Sequence, residues 1–581
     1  MLTRFKIKNF KKLDDVDIEL GKSVVLIGPN NSGKTAALQA LALWDIGVKR
    51  WNEKREGKTS PEKRPGVTIN RRDLNSIPTP KANLLWHDLH TRDVRRIAGK
   101  QKTDHVFIDI VVDGVTNDKE WTCGVEFYYS NDESFYCRPL RVSNGKSSER
   151  MPIPPEAGGV KVAFLPPMSG LAAVEPKLEP GRVNVLMGEG QTAQVLRNLC
   201  YQIFEESPDD KWKELIAEVE KLFGVILLPP KYIEARGEFT MSYKEPRSYK
   251  KSSGIELDLS SAGTGLLQTL LLLAYLYANP GAVFLLDEPD AHLEVLRQQQ
   301  TYQLITEIAE KQGSQIVAAS HSEVVLREAA GKDMVVAFVG KPHRIDDRGS
   351  QVLKALKEIG FDQYYQAEQT GWVLYLEGST DLAILQAFAE TLKHKASEYL
   401  ERPFVHYVGN QPGAVKNHFW GLKEAKADLG GIAIFDRLER GIPDDLGTVG
   451  LQWKRRELEN YLCTEEVLLA YARQDQPYDL FGQAEADHRE IVMRETIEEL
   501  SKALEALGKS SPWSPDIKVT DDFLDPLFKK YFEKLRLPNL IWKSGYHILA
   551  RLVLKDRIDT EIVEKLDAIV EVANQARPRE D

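Results

Sequence analysis

A chain of 581 residues exceeds what one hydrophobic core serves, so about two to four domains are expected. With 42 % hydrophobic and 28 % charged residues the composition is that of ordinary globular proteins, which excludes disorder on a large scale. A formal net charge of −10 does not exclude nucleic acid as a partner, because patches matter more than totals.

The start, Met1-Leu2-Thr3-Arg4-Phe5-Lys6, lacks the apolar core of a signal peptide. The β-branched run Ser23-Val24-Val25-Leu26-Ile27 reads as a buried strand, and Ala36 to Leu43 as a helix. Between them, Gly28-Pro29-Asn30-Asn31-Ser32-Gly33-Lys34-Thr35 fits the phosphate-loop pattern G-x-x-x-x-G-K-[ST] without a mismatch. Glycines let backbone N–H groups curl round phosphates, and the helix start adds favourable charge. Lys34 is expected on the β/γ-phosphates and the Thr35 hydroxyl on Mg2+. Residues 49–82 are polar and basic (Arg50, Lys54, Arg55, Lys58, Lys63, Arg64, Arg71, Arg72), a solvated loop or a contact to a DNA backbone. Residues 105–142 carry strand signals and are expected to extend a β-sheet. Thr192 to Glu206 and Asp210 to Phe223 read as amphipathic helices broken at Ser207-Pro208, with no sustained heptads.

Further on, Leu259-Ser260-Ser261-Ala262-Gly263-Thr264-Gly265 opens a leucine-rich helix, where small residues allow close approach to a phosphate. Its apolar run, Leu266 to Ala278, is about 13 residues long, short of the roughly 20 that span a bilayer. Ala282 to Leu286 reads as a buried strand ending in Asp287-Glu288, and Gln315 to Ala319 as another ending in Ser320-His321-Ser322. Carboxylates avoid cores, and ligands bind at the carboxyl ends of α/β strands. Asp287 is therefore expected to hold Mg2+, Glu288 to polarise the attacking water, and His321 to sit at the site.

The order phosphate loop, insertion, glycine-rich helix start, Asp-Glu, His resembles the ABC-type ATPases of the SMC-like and RecF-like branch. The opening Phe5-Lys6-Ile7-Lys8-Asn9-Phe10-Lys11-Lys12-Leu13 is similar to the first hairpin of that branch. The resemblance implies that Ser261 and Gly263 belong to the signature motif completing a site across a head-to-head dimer. It implies that Asp290-Ala291-His292-Leu293 is the D-loop and His321 the switch histidine. The signature departs from LSGGQ, with Ala262 at the first glycine, and no Q-loop glutamine is placed.

A second pattern follows. The strand Gly371 to Leu376 ends in Glu377-Gly378-Ser379-Thr380-Asp381, and Gly431 to Phe435 ends in Asp436-Arg437-Leu438-Glu439. Acids at two strand ends can converge on one sheet edge and hold a divalent metal through hard oxygens. This resembles a Toprim domain, the fold of topoisomerases, primases and the OLD (overcoming lysogenization defect) nucleases. The resemblance makes Glu377, Asp381 and Asp436 ligands for Mg2+ or Mn2+, Glu457 or Glu459 a replacement where Leu438 stands at the second D-x-D position, and Lys543 the late lysine at the cleaved phosphate. The four cysteines show no metal-ligand spacing and fit a reducing cytoplasm.

The expectation is thus an α/β chain. An ABC-type P-loop head, 1–345, has a β-rich lobe and a short helical arm inside an insertion of about 48–250. A linker, 346–369, leads to a Toprim-like domain, 370–475, which a helical region, 476–581, completes. The function expected is an ATP-binding and ATP-hydrolysing, metal-dependent DNA endonuclease of OLD-like type in bacterial anti-phage defence, a dimer or higher oligomer through its heads and without a membrane. The alternatives are a regulatory ATPase whose degenerate Toprim domain restrains a separate effector, and an SMC-like DNA repair ATPase.

Overall fold

The computed structural model describes all residues except 56–65, 75, 98–99, 144–147, 246–254, 331, 346–358, 475–478 and 579–581. The chain forms two compact units, Met1–Lys357 and Glu358–Glu580.

The first unit is built on two sheets. Leu2–Phe10 and Leu13–Glu19 pair as a hairpin in which Phe5 faces Ile18 and Ile7 faces Val16, so both apolar sets line one side. The hairpin joins Phe107–Thr116, Lys119–Asn131, Ser134–Pro139 and Val67–Asn70 in a six-stranded antiparallel sheet. Residues 105–142 therefore extend this sheet and not the one that carries the phosphate loop. That second sheet runs Val162–Leu165, Val283–Asp287, Gln315–Ser320, Ser23–Ile27, Met334–Ala337, His343–Arg344, parallel except for its last strand. Helix Lys34–Arg55 packs against both sheets, and one core joins Ile7 and Phe127 of the antiparallel sheet, Trp44 of the helix and Val24 and Leu285 of the parallel sheet. The Trp44 Nε1–H donates to the Cys123 carbonyl at 3.0 Å, satisfying the indole inside that core.

Helix Thr264–Ala278 is buried from Leu266 through Tyr277, because helices Leu196–Glu206, Lys211–Phe223 and Val295–Lys311 pack against it. An all-round apolar helix is what such a position requires. Among the described residues no helix is long and apolar enough to cross a membrane.

The second unit has a four-stranded parallel sheet ordered Val405–Tyr407, Trp372–Leu376, Gly430–Phe435, Val449–Gln452. Trp372–Leu376 is buried along its whole length, which explains its unbroken apolar run. Strand order reverses between Trp372–Leu376 and Gly430–Phe435, creating a switch point at their carboxyl ends.

Part of the stretch read as a linker is helical: Phe361–Thr370 packs on helix Pro412–Ala425. It ends at Gly371, whose φ of 73° and backbone neighbours within 2.7 Å of any added Cβ leave room only for glycine. The helical region after 476 is continuous with the sheet's core, which joins Leu376, Ile434 and Leu458 to Phe528, Tyr546 and Leu566. The segment expected as a helix from Glu498 is the end of a longer one, Leu480–Ala506.

Candidate active sites

The head site forms at the carboxyl edge of the parallel sheet. Strand Ser23–Ile27 lies beside Gln315–Ser320, which lies beside Val283–Asp287, so Lys34, His321 and Asp287 are brought to one edge from distant sequence. At Gly28 an added Cβ would meet the Phe338 carbonyl oxygen at 2.7 Å. Asn31 and Gly33 turn the loop with φ of 67° and 101°. Asn30 and Asn31 are exposed, and the Asn31 carbonyl accepts the Lys12 ammonium at 2.8 Å.

Lys34 is buried and folds back on its own loop, donating to the carbonyls of Gly28 and Pro29 at 2.7 Å each. Burial lowers its pKa against the opposing pull of Glu288, Asp287 and Asp290. Thr35 Oγ1 donates to Asp287 Oδ1 at 2.9 Å. Burial, with Glu288 adding to it, pushes Asp287 up to about 6 despite Thr35 and Lys34. Glu288 has a positive φ of 49°, and its carboxylate lies 3.5 Å from His321 Nδ1. Ser32 Oγ is buried with no partner, an orphaned donor inside the loop that suits a phosphate oxygen.

Ser261 and Gly263 lie elsewhere, exposed at the start of helix Thr264–Ala278, with Ser261 Oγ donating to the Asp258 carbonyl at 2.6 Å. Within this chain they make no described hydrogen bond to the phosphate loop. The residues leaving the edge beside Asp287 are Pro166, Pro167 and Met168, so no glutamine directly follows that strand. Of the basic stretch 49–82, Arg50 pairs with Glu53 and Asp73 and Arg71 with Glu133, while Lys58, Lys63 and Arg64 lie outside the described residues.

The second unit gathers acids at its switch point. Glu377 follows one strand and Asp436 its neighbour; the two carboxyl groups share a hydrogen bond. Asp381, on the first turn of helix Ser379–Leu392, accepts the Glu377 N–H at 3.1 Å. The Leu458 N–H donates to Asp436 Oδ1 at 3.2 Å, fixing the turn Leu458–Tyr461 against the sheet. That turn places Glu459 beside Lys543, while its neighbour-but-one Glu457, equally buried at 2 % exposed, turns its carboxylate elsewhere. The Glu457 carboxylate is taken up by the Thr520 N–H at 2.5 Å, and it caps its own turn.

Crowding shows in the titration of these groups. Burial raises Asp436 well above the ordinary carboxylate range, reinforced by the hydrogen bond to Glu377 and by the charges of Glu377, Glu459 and Asp381. Burial likewise lifts Asp381 to about 6, with Glu377 adding, and Glu459 to about 7 against the pull of Lys543. Lys543 Nζ lies 3.4 Å from Glu459 Oε1; burial opposes its charge, but the field of Glu459, Glu457 and Glu377 outweighs this and raises its pKa.

Among the described residues no three such groups are already set around one point as a metal cage. Yet Glu459 Oε1 is buried without a hydrogen-bond partner. That oxygen, met by Lys543 Nζ at 3.4 Å as an ion contact, lies amid charge-crowded acids and fits a hard divalent cation. Leu438, partly buried, packs against the apolar cluster that includes Phe435 and offers no ligand, while Glu439 is exposed.

Comparison with known proteins agrees with the head's construction. A family profile described as "AAA ATPase domain" matches residues 1–52. Another, described as "AAA domain, putative AbiEii toxin, Type IV TA system", matches residues 237–327. Over 350 residues the chain is 23 % identical to an OLD nuclease of Thermus scotoductus, covering 56 % of this chain. The chain spans 59 % of the length of that relative. Solved structures include an SMC head bound to the C-winged helix domain of ScpA (14 % identity, TM-score 0.34, 59 % of this chain and 98 % of that one). The SMC head domain from Thermotoga maritima gives 15 % identity and a TM-score of 0.30 over the same shares. The phosphate-loop site and the two matched profiles together mark the first unit as a P-loop ATPase. More particularly, part of the chain is similar to an OLD nuclease.

Proposed function

We propose that this protein is a nucleotide-controlled, metal-dependent DNA endonuclease of OLD-like type, acting in bacterial defence against phage. The observation that carries this reading is the convergence of Glu377, Asp381, Asp436 and Glu459 with Lys543 at the switch point of a parallel sheet. Five such groups crowded together cost stability, and a cleft that keeps them is a candidate for chemistry.

Divalent metal, Mg2+ or Mn2+, would be held by oxygens of Glu377, Asp381, Asp436 and Glu459 and would supply water activation and neutralisation of phosphate charge. The protein's own part is orientation. The Leu458 N–H holds Asp436, the Glu377 N–H holds Asp381, and Lys543 offers a cation for negative charge at a cleaved phosphate. In the head, Thr35 and Asp287 suit Mg2+, and Lys34 is free to exchange two loop carbonyls for ATP phosphates. Glu288 is placed to hold a water proton and His321 to meet the γ-phosphate. Ser261 and Gly263, exposed, are available to the nucleotide of a second copy, which supports a homodimer closed by ATP. All four cysteines are buried and free, in keeping with a reducing cytoplasm.

The test is incubation with supercoiled plasmid, Mg2+ or Mn2+, with and without ATP. Nicking lost in Glu377→Ala is expected. Leu438, and acids that are not set around one point among the described residues, favour a second reading, a regulatory ATPase that restrains a separate effector through a catalytically weak domain. Absence of nicking together with co-purification of a partner protein would select it.

A further inference from the structure

Outside both sites lies a buried guanidinium with too few partners. Arg197, 2 % exposed, begins helix Leu196–Glu206 beside Glu175, which is 0 % exposed. Glu175 is already engaged: it accepts the Arg197 and Asn198 N–H groups at 2.9 and 2.6 Å and Asn198 Nδ2 at 2.8 Å. It therefore stands 3.6 Å from Arg197 Nη1, an ion contact without a hydrogen bond. Nη1 donates to the Ala172 carbonyl at 2.9 Å, and Nε has no partner. A buried cation so sparsely satisfied is destabilising, and an apolar side chain of similar volume would pack without that cost.

The remaining nitrogen faces a functional element. Arg197 Nη2 lies 3.8 Å from Asp258 Oδ1. The same oxygen accepts the Ser260 N–H at 2.8 Å, and the Asp258 carbonyl accepts Ser261 Oγ at 2.6 Å. Asp258 thus shapes the turn Leu259–Ser261 that leads to Gly263 and helix Thr264–Ala278. On its other side Arg197 holds Ala172, in the segment that follows Val162–Leu165, the strand paired with Asp287's own.

We propose that Arg197 is a positioning residue for nucleotide turnover, setting the Ser260–Ser261 turn through Asp258 and tying it to the segment that leaves the sheet beside Asp287. The proposal rests on Ser261 serving the nucleotide of a second copy. Shortening the 3.8 Å gap would give Arg197 its missing charged hydrogen bond and hold the Ser260–Ser261 turn in place.

The side chain of Asp258 is 52 % exposed, so replacing it spares the fold. Asn caps a turn as well as Asp does, which separates the charge contact from the cap. In full-length protein, Asp258→Asn is expected to lower kcat for ATP by about tenfold, the usual size of a coupling effect. KM, the nucleotide Kd from calorimetry and the melting temperature should all hold. Ser261→Ala, run in parallel, is expected to lower kcat alike, and the double variant to add nothing. Wild-type turnover in Asp258→Asn beside a slow Ser261→Ala overturns the role of Arg197 alone. Wild-type turnover in Ser261→Ala overturns the signature reading and this proposal with it. A parallel rise in Kd, or additive losses in the double variant, also overturns the proposal.

Discussion

The two candidate sites solve the same electrostatic problem in opposite ways. In the head, Lys34 is buried among Asp287, Glu288 and Asp290, and Thr35 donates to Asp287, so the acids come with an internal counter-charge. In the second unit the acids outnumber their cation: Lys543 is 41 % exposed and pairs with Glu459, and burial with the neighbouring acids raises Asp436 well above the ordinary carboxylate range. A site that carries its own cation can rest empty; one that does not has a standing need for positive charge. On the proposed function, metal dependence therefore belongs more strongly to the second site.

Substitutions sharpen that contrast. The largest effect is expected at the acids. Asp436→Asn should reduce plasmid nicking by more than about a hundredfold, since even outer-shell partners of metal sites are worth 10–100-fold. The same change removes the cost of protonating this buried carboxyl on folding at neutral pH, so it should raise the melting temperature by about 2–4 °C for each kcal/mol relieved. A fall in melting temperature would mean that the acids stabilise each other. Next, Lys34→Ala should weaken ATP binding by about a hundredfold in calorimetry while leaving the fold intact. Lys543→Ala should cost about tenfold in cleavage rate with little change in metal affinity, because it stands at the rim of the cluster.

The smallest effect concerns pH. His418 is buried behind the second sheet, with its ring stacked 3.8 Å from His406. It is hydrogen-bonded to Tyr375 Oη at 2.8 Å and Gln363 Oε1 at 2.6 Å. Burial, helped by His406, pushes it down to about 3 from 6.5. Between those values the unfolded chain binds a proton that the folded chain refuses, so stability is present above 6.5 and falls as pH drops toward 3. His418→Gln should flatten the loss of melting temperature between pH 7 and 4.5 relative to the unsubstituted protein. An unchanged slope would assign the acid sensitivity to other groups.

The contrast also explains what could be read before the fold was known. The phosphate loop is contiguous, so Gly28 to Thr35 announces itself within eight residues. Strand-end acids are nearly as local, because an apolar run that stops at Asp287, Glu377 or Asp436 has little else to signal. The choice between Glu457 and Glu459 was not legible: it is made by Thr520, whose N–H takes Glu457 from 63 positions away. The helix Phe361–Thr370 was hidden for a similar reason. Its sequence is polar, and its Gln363 is engaged by His418, 55 positions on. Arg197 carried no signal either, since a basic residue at the start of an amphipathic helix ordinarily faces solvent.

The central claim is that the switch-point acids of the second unit hold a divalent cation. It is tested most directly by Mn2+ binding, followed by calorimetry or electron paramagnetic resonance, in protein whose head site is disabled by Asp287→Ala. A saturable Mn2+ site that vanishes when Glu377→Ala is added is the result expected. No saturable site, or one indifferent to Glu377, would contradict the account.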